Sequence, residues 1–196
     1  RRSSDLPNSI QIDPFGFLTD GDCHEINDDL ALHVIKEIKK LSKENPYFRS
    51  GGWKNLDASG LCRPIIIQEL KDIIDNYQEE FHIHSFALEI ASSDKLCENF
   101  AKKFKEIAFN INQSYHNRHI AIMGLYKANL SEFIKNNTIE EIQKFSDQDS
   151  TRLALSTIIE IGFEKFDIET CAFAILAESH LTTETIKNAN QSSRVV

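Results

Sequence analysis

The sequence predicts an α+β protein in two parts: a small N-terminal module of β-hairpin, helix, loop and helix over residues 1–82, and an all-α bundle over residues 83–196. Two observations lead there. All four prolines and five of the seven glycines fall within about the first 80 residues, where they punctuate short elements. Beyond them the chain is almost free of breakers and carries apolar residues at helical spacing.

The elements follow in order. Pro7, the Asp13-Pro14 pair, Gly16 and Gly21 bracket the apolar stretch from Ile10 to Leu18, a length and framing expected of a strand or extended hairpin. From Asn27 to Lys43 the residues Leu30, Val34, Ile38 and Leu41 recur at helical spacing, with Asn27 or Asp28 as cap, and Asn45-Pro46 ends the run. Ser50-Gly51-Gly52 with Trp53 and Leu56 reads as a loop or short strand, Trp53 closing a small core. Ile66, Leu70, Ile73, Ile74 and Tyr77 then share one face of a helix expected over Ile65 to Phe81. Further helices are expected near 94–111, 115–135, 138–145, 150–164 and 167–181. Thr138 with Glu141 offers a capping box, and Asp94, Asp149 or Ser150, and Asp167 are further caps. Ten phenylalanines from Phe81 to Phe173, with Leu153, Leu155, Ile158, Ile159, Ile161 and Leu176, supply the expected bundle core. The tail from Asn188 to Val196 is expected to fray.

Composition narrows the function classes. A formal charge of −8 argues against a generic nucleic-acid binder, which must neutralise phosphates with surplus Lys and Arg. Cys23, Cys62, Cys97 and Cys171 form no CxxC pair, so neither a disulfide framework nor a zinc finger is signalled and reduced, cytoplasmic thiols are expected. Cys23 lies between Asp22 and His24, but neighbours on an extended chain point apart, so no nucleophilic constellation is read there. No apolar run reaches the roughly 20 residues that span a bilayer. The first residue is Arg1 rather than Met, as expected of an excised or processed chain, and frequent Lys, Asn and Ile suit an AT-rich, bacterial genome.

The order Leu6-Pro7, Asp13-Pro14-Phe15, Gly21, a helix bearing Leu30 and Val34, then Pro46-Tyr47-Phe48-Arg49 and a closing helix after Pro64 resembles the U-box, the zinc-free relative of the RING domain, over about residues 5–80. The chain departs from that pattern in the wording of the first loop, in the longer Ser50–Gly60 segment and in the distance from Pro64 to Leu70. The resemblance implies an E3 ubiquitin ligase that needs no cofactor or metal and forms no covalent intermediate. Its partners would be ubiquitin and a ubiquitin-conjugating enzyme (E2), with an unknown protein substrate held by the helical part. Leu6, Ile10, Leu30, Pro46 and Tyr47 would line the E2 surface, and Arg49 would act as the catalytic residue by holding the ubiquitin thioester in its reactive pose. For a secreted bacterial effector the site of action would be the host cytosol.

Other residues point to competing classes. His82-x-His84 and His116-x-x-His119, with Glu89 or Asp94, have spacings that could converge on zinc or iron, although HExxH is absent. Arg118 and Lys127 with Tyr115 or Tyr126 could line a nucleotide pocket, although no Gly-rich phosphate loop accompanies them. An all-helical adaptor without a ubiquitin role is the remaining class, and it predicts that Leu6, Ile10, Pro46 and Arg49 share no exposed surface.

Overall fold

The computed structural model describes residues 6–20, 26–50, 58–78, 80–129, 132–133, 137–145 and 147–192. Cys23, Gly21, Gly51, Gly52, Trp53 and Leu56, and the end of the tail past Ser192, lie outside them. Every regular element among the described residues is helical, which corrects the α+β expectation: there is no strand and no ββα module. The chain divides into two compact units, Arg1–Ala101 and Lys102–Val196.

The expected hairpin is instead two short helices, α1 (Leu6–Ile12) and α2 (Pro14–Asp20). The physical reason lies in the spacing: Ile10, Pro14, Phe17 and Leu18 stand at i, i+4, i+7 and i+8, and all four are buried. Pro14 takes the first helical position, where a missing N–H costs nothing. The Asp13 carboxylate accepts from the Gly16 N–H at 2.8 Å, so the residues read as hairpin punctuation are an N-cap.

Helix α3 (Asp28–Glu44) begins where expected, with the Asn27 side chain accepting from the Leu30 N–H at 2.9 Å. It buries Ala31, Val34, Ile35 and Ile38 against α1, α2 and the turn at Pro64–Ile66. Helix α4 (Ile67–Asn76) buries Leu70, Ile73 and Ile74, and packs on α5 (Phe81–Ala91), whose Ile83, Phe86, Ala87 and Leu88 are all buried. The helix expected over Ile65–Phe81 is therefore shorter, ending at Asn76 with Tyr77 as its C-cap, and a separate helix starts at Phe81. Lys39 on α3 meets both Asp72 and Glu69 on α4. The hydrogen bond that the Lys39 ammonium donates holds the Asp72 carboxyl below its ordinary value, and the same bond raises Lys39.

The second unit contains α6 (Ala101–Ala108), α7 (Tyr115–Ala128), α8 (Thr138–Gln143), α9 (Gln148–Ile161) and α10 (Ile168–Ser192). A Cβ on Gly124 would lie 2.5 Å from the Phe104 ring, so α6 and α7 meet closely at a position only glycine fits. The capping box expected at Thr138 is not formed: Thr138 donates to the Phe133 carbonyl at 2.8 Å, and Asn137 enters the helix in the left-handed region. Asp147, rather than Asp149 or Ser150, caps α9. The turn Cys97–Phe100 starts from Leu96 rather than Asp94, and Asp167 caps α10 as expected, accepting from the Thr170 N–H at 2.8 Å.

Candidate functional site

The described residues among those expected to meet a ubiquitin-conjugating enzyme differ in exposure. Ile10 is fully buried on α1, and Leu30 is half-buried on α3. Pro46 is exposed, as is Tyr47, at 71 % of its surface, with its ring edge-on to His82. The Leu6 backbone opens α1, while its side chain lies outside the described residues. Arg49 is fully buried. Its Nη2 donates to Glu89 Oε2 at 2.8 Å, and the guanidinium lies over the rings of Phe15 and Phe86 at 5.9 and 5.6 Å. This arrangement ties the turn after α3 to α5 through an ion pair set among aromatic faces.

The competing enzyme residues also resolve into packing. Arg118 is fully buried in the second unit, where Nε donates to the Ala108 carbonyl at 3.0 Å, Nη2 to Ser150 Oγ at 2.7 Å, and Nη1 faces Asp147 at 3.7 Å. It thus clamps the end of α6 to the start of α9. Tyr115 donates its hydroxyl to Ser156 Oγ at 2.8 Å and stacks on His119, which meets Glu160 at 3.2 Å. Burial pushes the His119 imidazole below its ordinary value, with His116 acting in the same sense and Glu160 opposing both. Tyr126 lies edge-on to Phe133. His84 is buried in the first unit, and no group of three or more His, Cys, Asp or Glu among the described residues is placed to hold a metal ion.

What the sequence reading placed in the core and the structure places outside is a set of large apolar residues at the end of the second unit. Helices α9 and α10 form a hairpin. Gly162, at φ 108°, ends α9 in a conformation that a side chain would strain, the turn Phe163–Lys165 follows, and Asp167 starts α10. The Asp167 carboxyl is held below its ordinary value by the Thr170 N–H and hydroxyl. Thr170 Oγ1 also lies 2.7 Å from Glu140 Oε1, which ties α10 to α8.

That anchoring fixes which side of α10 faces its own unit. Thr170 and Ala174 are buried, and Ala177, Glu178 and Leu181 are half-buried on the same arc. The opposite arc carries Ile168, 86 % exposed, Ile175, 48 %, and Leu176, 59 %, with Ala172 between them and Phe173, 56 %, beside them. Their spacing of i, i+4, i+7 and i+8 makes a continuous stripe. Arg152 on α9 meets Glu178 on α10 at 3.4 Å, which sets the antiparallel register and brings Ile159 level with Cys171. Ile159 and Phe163 are themselves 59 % and 45 % exposed, so the apolar surface continues from α10 onto the turn and α9. The face is thus a built one: a helix that packs by its small side chains and presents its large ones.

One sequence signal could have found it. Thr170, Ala174 and Ala177 recur at i, i+4 and i+7 between the large residues, which marks α10 as carrying a face of small residues distinct from its large apolar ones. None of the described helices is long and apolar enough to cross a membrane. No protein family, curated protein or solved structure matches this chain.

Proposed function

We propose that the protein is a helical adaptor that docks a protein partner on the outer face of the α9–α10 hairpin. One observation carries the reading: α10 turns Thr170 and Ala174 inward and Ile168, Phe173, Ile175 and Leu176 outward. Large exposed apolar side chains scattered singly need no explanation, but six of them on one hairpin form the kind of patch that marks an interaction site. Aromatic and branched residues of this type also dominate the energetics of helix-mediated contacts.

The ligase reading has weaker geometric support. A U-box-type surface needs Ile10 and Arg49 exposed beside Pro46 and Tyr47, whereas Ile10 and Arg49 are buried and only the Pro46-Tyr47 turn offers itself. The two readings separate in one experiment, site-specific photo-cross-linking in the cell with the reactive residue placed at Leu176, at Tyr47 or at the exposed control position Glu98. The adaptor reading expects a discrete protein adduct at Leu176 and none at Glu98. An adduct to a ubiquitin-conjugating enzyme at Tyr47 would restore the ligase, and the absence of any adduct at Leu176 would remove the docking face.

A further inference from the structure

We propose that the first unit carries a binding site for a small polar oxyanion, a phosphate monoester or a carboxylate, in the cavity between the start of α3 and the turn Ser59–Leu61. Every residue of the site belongs to the first unit, so it is independent of the α9–α10 face. The cavity volume, about 380 Å³, lies in the lower part of the range for small-molecule pockets. Ser59 and Gly60 come from the turn Ser59–Leu61, Cys62 and Arg63 join it to the turn Pro64–Ile66, and Asp28 opens α3. Lys95 completes the lining.

Arg63 is pre-set to receive an anion. Its Nε donates to the Gly60 carbonyl at 2.9 Å and its Nη1 to Asp28 Oδ1 at 3.0 Å, so the guanidinium is held from its own turn and from α3 together. A guanidinium carries five N–H donors, and Nη2 donates to none of the described residues. Because the side chain is already ordered, little rotamer entropy is lost when a ligand arrives. Lys95 is exposed, and among the described residues its ammonium meets no carboxylate.

Charge and polarity set the class of ligand. Two cations share the cavity with one carboxylate, which leaves a local surplus of positive charge in a chain whose formal charge is −8. An oxyanion would accept from Arg63 Nη2 and from the Lys95 ammonium, in the charge-assisted bonds that both groups favour. Among the described lining residues there is no aromatic ring and no large apolar side chain. A stacked base or an acyl chain would therefore lack its usual contacts, and a small, wholly polar molecule fits the lining better.

The test is calorimetric titration of the full chain with inorganic phosphate, glycerol phosphate and succinate, paired with alkylation of Cys62 followed by mass spectrometry. Saturable one-to-one binding of at least one probe is expected, and the tighter of glycerol phosphate and succinate assigns the anionic group. The bound probe should slow alkylation of Cys62, which lines the cavity, and leave the rate at Cys171 in the second unit unchanged. Lys95→Gln should weaken binding by roughly tenfold, the scale of one charge-assisted hydrogen bond. Asp28→Asn removes the competing carboxylate and should tighten binding by about threefold, the scale of an exposed ion pair. Lys36→Gln makes the same change of charge at an exposed position of α3 outside the lining, and should leave binding unaltered. Lys95 and Lys36 are exposed, so circular dichroism should show both variants folded. No saturable binding of any of the three probes overturns the proposal. So does binding that leaves Cys62 unprotected, that survives Lys95→Gln, or that Lys36→Gln weakens as much.

Discussion

Helices α3 and α10 use similar apolar material in opposite senses. Helix α3 sends Val34, Ile35 and Ile38 inward and leaves Asp28, Asp29, Lys36, Lys40 and Lys43 in solvent. Helix α10 sends Thr170 and Ala174 inward and leaves Ile168, Phe173, Ile175 and Leu176 outside. Helical periodicity reports where apolar residues align, while the neighbours decide which aligned face becomes core. In α3 a single apolar face meets a single set of neighbours. In α10 there are two apolar arcs, and the arc of small residues packs, because Thr170 is bonded to Asp167 and Glu140 and Glu178 to Arg152.

The largest effects are expected at the inward faces of the two helices. Ile38 is fully buried, so Ile38→Ala removes apolar contacts and leaves a cavity, costing about 2–5 kcal/mol in urea unfolding of the first unit. A cost below about 1 kcal/mol would show that α3 packs more loosely than its burial implies. On α10 the corresponding change is an enlargement. Ala174 is 1 % exposed, so Ala174→Leu forces a large side chain into a close helix contact and should cost about 1–3 kcal/mol. If Ala174→Leu proved neutral, the small-residue face would not be the packed one, and the assignment of inside and outside on α10 would reverse.

How much of this was legible in the sequence depends on which physical signal each element carried. The helices at Asn27 and Asp167 were readable because helical spacing of apolar residues and a capping side chain agree there. The first two helices were not, because Asp13-Pro14 and Gly16 serve equally as turn residues and as the start of a helix, and only the burial of Ile10, Phe17 and Leu18 together decides between them. Arg49 was singled out in the sequence, but its burial depends on Glu89, Phe15 and Phe86, residues remote in the chain and invisible to local reasoning. Phe163, Phe173 and Leu176 were counted as core on hydrophobicity alone. A count of apolar residues cannot distinguish a buried face from a docking face, since both are removed from water in the finished assembly.

A smaller effect, with a pH signature, sharpens the contrast at the edge of α3. Lys39 bridges to Asp72 and Glu69, and the hydrogen bond to Lys39 is the main reason the Asp72 carboxyl lies below its ordinary value of 3.8. A carboxyl depressed in the folded state adds stability that is present above its unfolded value and is lost as pH falls through the folded one. Lys39 is raised above 10.5, so its share is present below that value and is lost as pH rises through the folded one. The difference in stability between the wild-type chain and Asp72→Asn should therefore be constant across neutral pH and begin to close at both extremes, below pH 3.8 and above pH 10.5. Unfolding midpoints measured across that range check it, and a difference that survives at acid pH would assign the effect to packing of the side chain instead of its charge.

The smallest expected effect is the most discriminating. Leu176→Ser removes a large apolar side chain of the same class as Ile38, and on hydrophobicity alone the two changes should cost alike. Leu176 is 59 % exposed, so in the isolated chain the replacement should alter unfolding free energy by no more than about 0.5 kcal/mol. The same replacement should reduce association through the hairpin strongly, because a side chain at the centre of an interface contributes most of its burial only when the partner arrives. Stability measured under dilute conditions and association measured with the partner present then move independently for Leu176 and together for Ile38. A Leu176→Ser variant that lost several kcal/mol of dilute-solution stability would place Leu176 in the core after all, and with it would go the distinction between the two helices.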